Sequence, residues 1–159
     1  MTAMKFLYDD GGRSAAGYSG SAGDCATRAI AIATGKSYQE VYDGLNGLIC
    51  GKGQTRRMRR GSARTGTPHG IDREYLQAPG WTWTPTMKIG SGCKVHLKAD
   101  ELPAGRLIVS VSRHLVAVID GVIHDTHDPS REGTRCVYGY YRQSSTQKGE
   151  KNHDFIDIE

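Results

Sequence analysis

The spacing of apolar residues changes character twice along the chain. Residues 9–23 are dense in Gly and Ser and offer little to bury, which predicts an irregular, closely turning segment. From 25 to 34 the positions are small or apolar apart from Thr27 and Arg28, with Asp24 placed as an N-cap and Gly35 as the residue that stops the helix. A helix apolar on nearly every side belongs in the middle of a domain. Ser37-Tyr38-Gln39-Glu40 has the form of a capping box, and Val41, Leu45, Leu48 and Ile49 then line one side of a second helix. Between 51 and 68 apolar residues nearly vanish, predicting an exposed loop, and a short helix follows at 71–76. Beyond it the pattern turns β-like, with strands expected at 81–84, 94–97, 106–112, 114–119, 122–126 and 137–142. After 143 the tail is polar, although Phe155, Ile156 and Ile158 could add an edge strand. Helices first and strands second predict an α+β fold with an antiparallel sheet.

With 159 residues, 37% of them hydrophobic, the chain suits one domain spanning 1–159, with a basic loop at 51–68 and a polar tail at 143–159. No apolar run approaches membrane-spanning length, and the first ten residues carry a lone Lys and early acids rather than the marks of a signal peptide. The expectation is a soluble cytoplasmic protein without a membrane partner. The net charge of +4 conceals a concentrated patch: residues 51–66 hold six cations and no acid, leaving a net −2 for the rest. Arg56, Arg57, Arg59 and Arg60 are its centre and the candidate grip for a partner. Both an acidic protein substrate and nucleic acid remain open, but the absence of interleaved aromatics for base stacking weighs against nucleic acid.

The four cysteines form no Cys-x-x-Cys pair, so neither a zinc ribbon nor a dense disulfide framework is suggested. Cys25 differs from the rest because it directly follows the expected N-cap. First-turn amides and the helix dipole there favour a thiolate. Cys50, Cys93 and Cys136 lack such a setting and read as structural thiols. A nucleophile also needs a base. Asp120-Gly121 between two apolar runs predicts a two-residue type I′ hairpin, whose register would pair Val118 with Ile123 and Val116 with Asp125. His114 and Asp125 then share a face as diagonal neighbours, so Asp125 can orient the imidazole while its other nitrogen meets a thiol. Asp128 falls on the opposite face and would serve only if a bulge shifted the parity. His69, His96, His124, His127 and His153 show no metal-ligand spacing on one element, and no metal or cofactor is expected.

The segment Gly23-Asp24-Cys25-Ala26-Thr27-Arg28-Ala29-Ile30-Ala31, followed far downstream by His114-Leu-Val-Ala-Val-Ile-Asp-Gly-Val-Ile-His-Asp125, resembles the papain-like cysteine peptidases. The likeness is to small bacterial or phage types such as the double-glycine leader peptidases, and it covers about 23–129. It implies a nucleophile helix packed on an antiparallel sheet, with Cys25 as nucleophile, His114 as general base and then acid, and Asp125 as orienter. It further implies an acyl-enzyme route for hydrolysis of a peptide or isopeptide bond, with acyl transfer open to the same residues. Where these families place an oxyanion-hole Gln, six residues before the Cys, this chain has Ser19. That departure makes Ser19 a weaker candidate donor and keeps a noncatalytic binding protein in play, one that would use the Arg-rich loop. The leader peptidases set their Asp just before a Pro, as in Asp128-Pro129, which keeps Asp128 as the alternative orienter.

Overall fold

The computed structural model describes residues 4–20, 23–52, 61–68, 70–88 and 90–143. In chain order the elements are β1 (Lys5–Tyr8), α1 (Cys25–Thr34), α2 (Tyr38–Gly51), α3 (Ile71–Gln77), β2 (Trp81–Pro85), a 3-10 turn (Ala99–Glu101), β3 (Arg106–Val111), β4 (His114–Ile119), β5 (Val122–Asp125) and β6 (Gly139–Gln143). Three helices and a six-stranded sheet make a mixed α+β fold, with strand order β1-β5-β4-β3-β6-β2. No helix among the described residues is long and apolar enough to cross a membrane.

The hairpin forms with the expected turn and register, although its pairing ends at Ala117–His124, one step short of the expected Val116–Asp125 pair. Asp120 and Gly121 both take positive φ, 47° and 80°, as a type I′ turn requires, and Val118 pairs with Ile123. Ser37 accepts the Glu40 amide at 3.1 Å, although the Glu40 carboxylate pairs with Lys36 instead of returning to the cap. Three expectations need correcting. The sheet is not purely antiparallel: β1, which the apolar pattern did not mark, runs parallel to β5 with Tyr8 opposite Asp125. The long excursion through the helices supplies the crossover that parallel strands need. The segment at 94–97 forms only an isolated bridge, His96 to Cys136, and no strand. Cys93 and Cys136 are not separate thiols but a disulfide, with Cα atoms 5.8 Å apart across a separation of 43 residues. The bridge joins the same two segments that the disulfide links.

Alternation along the strands gives the sheet two buried faces. Ile108, Ala117 and Tyr141 pack under the helices against Ile30, Leu45 and Leu76. Leu107, Val109, Val116, Val118 and Ile123 point to the other side, where Leu97 and Val137 of the disulfide-linked segments cover them. Helix α1 is the element against which the rest is arranged: it touches β3, β4, β5 and α2, and Ile30 is fully buried. Its N-terminus therefore meets the sheet where β4 begins and β5 ends.

Candidate active site

Cys25 is the first residue of α1, half-buried and free. Asp24 occupies the N-cap position but does not cap. Its backbone angles are φ −100° and ψ 29°, and its side chain makes no cap hydrogen bond. The carboxylate instead turns inward, accepting from Arg28 Nη1 at 2.5 Å and from the Tyr38 hydroxyl at 2.6 Å. An ion pair with a buried cation outcompetes a neutral backbone amide for this acceptor. The first-turn amides of α1 are thereby left without a side-chain cap.

Across the opening of the sheet, His114 starts β4 and Asp125 ends β5. Nε2 of His114 lies 2.7 Å from Asp125 Oδ2, so the ring's Nδ1 side is the one left for the thiol. Asp125 is buried, and its Oδ1 accepts from Arg28 Nη2 at 3.2 Å and from the Thr126 amide at 2.7 Å. Asp128, by contrast, is exposed and accepts from the Ser130 amide in a local turn, away from the imidazole.

The electrostatics follow from these contacts. Burial raises the Cys25 thiol, but its hydrogen bond with His114, the Leu115 backbone amide and the charges of His114 and Arg28 reverse this and bring it below its ordinary value. Burial lowers His114, yet the hydrogen bonds to Asp125 and Cys25 and their negative charges overcome it and lift the imidazole to about 9. Burial raises Asp125, and His114, the Thr126 amide and Arg28 more than compensate, keeping it below the usual carboxylate value. Each group thus favours the charged form of its neighbour.

Cys25 and His114 open onto a cleft of about 810 Å³, whose opposite wall is built by Thr65, Gly66, Asp72 and Tyr138. A side recess of about 260 Å³ continues from it past Asp72 and Tyr138 to Trp83 and Tyr141. Residues 61–68, the return of the basic loop, form one bank. The Gly23 amide donates to the Arg64 carbonyl at 2.9 Å, and Thr27 Oγ1 donates to the Ala63 carbonyl at 2.8 Å. A Cβ on Gly23 would meet the Thr65 carbonyl oxygen at 2.9 Å, so only glycine permits this approach. The loop therefore borders the cleft through Thr65, Gly66 and Thr67, although Arg56, Arg57, Arg59 and Arg60 lie outside the described residues.

Of the other expected residues, Ser19 is exposed and does not line the cleft. Its carbonyl accepts from Arg64 Nη2 at 2.8 Å, which ties it to the outer side of the loop. His127 stands beside His114 with ring centroids 5.2 Å apart, and His114, Asp125 and His127 lie close together. Both Asp125 oxygens are already engaged, one with His114 and one with the Arg28 cation, which opposes a metal there. Sequence reasoning missed the roles of Asp24 and Arg28. The signal for them was an acid and a base four residues apart on a helix otherwise made of Ala and Ile. Comparison with family models, with curated proteins and with solved structures finds no match to this chain.

Proposed function

We propose that the chain is a cysteine peptidase, or a related thiol-dependent amide or isopeptide hydrolase, with a papain-like arrangement of Cys25, His114 and Asp125. One observation carries the reading: a cysteine at a helix start touches a histidine that is itself held at 2.7 Å by a buried carboxylate, and the cysteine and histidine face an open cleft. A structural thiol needs none of these neighbours.

In this reading the Cys25 thiolate attacks the carbonyl carbon of the scissile amide, and the carbonyl oxygen takes up the negative charge beside the first-turn amides of α1. As the C–N bond breaks, the His114 imidazolium gives its proton to the departing amine, leaving a thioester on Cys25. Water then loses a proton to neutral His114 as it adds to the thioester, and release of the thiolate restores the ion pair. Asp125 keeps the ring in plane throughout. An amine in place of water gives acyl transfer. A cleft of about 810 Å³ has room for part of a protein or peptide chain, and the loop cations would favour an acidic one.

The test is the pH dependence of Cys25 alkylation by iodoacetamide, with Cys50 in the same molecule as the reference thiol. The expected result is reaction at Cys25 well below pH 8, shifted upward in His114→Ala. Reactivity equal to that of Cys50 at every pH would overturn the enzyme reading. It would favour the second one, a noncatalytic binding protein that uses the Arg-rich loop for an acidic protein or nucleic acid, the reading to which the displaced Ser19 lends weight.

A further inference from the structure

The chain of charges does not end at Asp125. Arg28 lies on α1 one turn beyond Cys25 and divides its guanidinium: Nη1 goes to Asp24 at 2.5 Å and Nη2 to Asp125 at 3.2 Å. On the far side of Asp24, the Tyr38 hydroxyl donates to Oδ2 at 2.6 Å and Arg13 Nε stands 3.6 Å from the same oxygen. The signs alternate from Cys25 through His114, Asp125, Arg28 and Asp24 to Arg13. These groups are removed from water, with Asp24 exposed by 0%, Arg28 by 7% and Asp125 by 3%. Burying an arginine on a helix of Ala and Ile is costly, and a well-packed apolar side chain there would be the cheaper way to hold the fold. Arg28 also forgoes the two-pronged contact with one carboxylate that guanidinium geometry favours, and its Nε is buried without a partner among the described residues.

We propose that Arg28 is a positioning residue for the thiol site and that Asp24 sets how strongly it acts; this rests on the cysteine-hydrolase reading above. Arg28 fixes the Asp125 carboxylate so that Oδ2 faces His114. Asp24 holds the other half of the guanidinium and so keeps Arg28 from turning both prongs onto Asp125 and drawing its charge away from the imidazole. Arg28 and Asp24 therefore act on His114 and Cys25 with opposite sign. Among the described residues the other charged or titratable groups about His114 are Asp125 and His127 at the end of β5 and just after it, Arg113 in the preceding turn, and Asp72 and Tyr138 across the cleft. None of these is altered in the test.

The experiment follows two midpoints in the full chain: that of Cys25 alkylation by iodoacetamide and that of the His114 ring-proton titration by NMR. In Arg28→Gln, which removes the cation, both midpoints should move up, and alkylation on the acid limb should fall about tenfold for each pH unit by which the Cys25 midpoint rises. In Asp24→Asn, which keeps the Tyr38 contact but frees Arg28, both should move down. Arg28→Lys retains the charge but offers one nitrogen in place of the rigid fork that spans the two carboxylates, and it should recover the Cys25 midpoint more fully than the His114 one. Midpoints that stay put, or that move in the same direction in Arg28→Gln and Asp24→Asn, would overturn the proposal and leave a purely structural ion pair. If Arg28→Gln fails to fold, the direction in Asp24→Asn decides, since an upward or absent shift there sinks the idea. The wild-type profile judges the hydrolase reading separately: an activated Cys25 with unmoved variants fails only the positioning role.

Discussion

Cys25 and the Cys93–Cys136 pair are the same side chain in two surroundings. Cys25 stands at a helix start, where His114, Arg28 and the Leu115 amide favour its anion, and no second sulfur is bonded to it. Cys136 lies at a β-bridge to His96, three residues beyond Cys93, and the two cysteines are spent in a covalent link beside the cluster on the opposite face of the sheet. The difference teaches that the fold assigns chemistry to a thiol by what it places within a few ångströms. One region leaves its sulfur free among groups that favour its anion; the other uses its sulfurs to pin a segment that has little regular structure of its own.

Removing Asp125 should break this contrast most severely. Asp125→Asn leaves Arg28 and His114 facing a neutral amide in a buried site, a loss of about 3–5 kcal/mol for a broken buried pair. Thermal unfolding should register the drop, and Cys25 should come to alkylate no faster than Cys50. The matched change Asp128→Asn, at an exposed turn, should leave both readings within error. Equal effects from the two substitutions would contradict the orienting role of Asp125.

Reduction tests the other side of the comparison. Opening Cys93–Cys136, or replacing both by Ser, frees a 43-residue separation and should cost about 2–4 kcal/mol in denaturant unfolding. Cys25 alkylation should stay as it was, because the bridge covers the face of the sheet away from α1. A fall in Cys25 reactivity on reduction would mean that the two regions are coupled through the sheet. Such bonds persist chiefly in oxidising surroundings, so the bridge also bears on the expectation of a cytoplasmic location.

This contrast also marks what could be read from the chain alone. The bounds of α1, the Asp120-Gly121 turn and the sharing of a site by His114 and Asp125 were legible because each depends on neighbours within a dozen residues. The disulfide was not, since the bridge joins residues 43 apart and nothing in either local context announces the partner. Asp24 misled for a different reason: a residue ideal for capping was diverted by Arg28 and Tyr38, a tertiary choice that overrides a local preference. The strand β1 escaped because all four of its residues are exposed, so no alternation marks it.

The pH dependence of stability should carry a smaller signature. The folded imidazole of His114 sits at about 9, above its ordinary value near 6.5. A raised histidine stabilises the fold fully below its unfolded value, and this contribution is lost as pH climbs from there through about 9. Asp125 is depressed, so its contribution is present above the usual carboxylate range and disappears as the solution is acidified through its lowered folded value. Cys25 is lowered, so its contribution grows with pH over the same interval and offsets the loss at His114. Melting temperature should therefore change little between the unfolded histidine value and about 9, and a decline there should emerge in Cys25→Ser, which removes the opposing contribution. That decline should flatten in Cys25→Ser/His114→Gln; one that is unchanged in the double variant would assign it to other groups.

The smallest effect is expected at the remaining cysteine. Cys50 lies exposed near the end of α2 and is free. Among the described residues no second sulfur is bonded to it and its side chain is open to solvent, so nothing there asks for sulfur. Cys50→Ser should change stability by less than about 0.5 kcal/mol and leave the alkylation profile of Cys25 superimposable on that of the wild type. Mass-spectrometric mapping of the labelled peptides checks this directly. If Cys25 slowed in Cys50→Ser, the two thiols would have to communicate, and the view that each sulfur answers only to its immediate neighbours would fail at its simplest case.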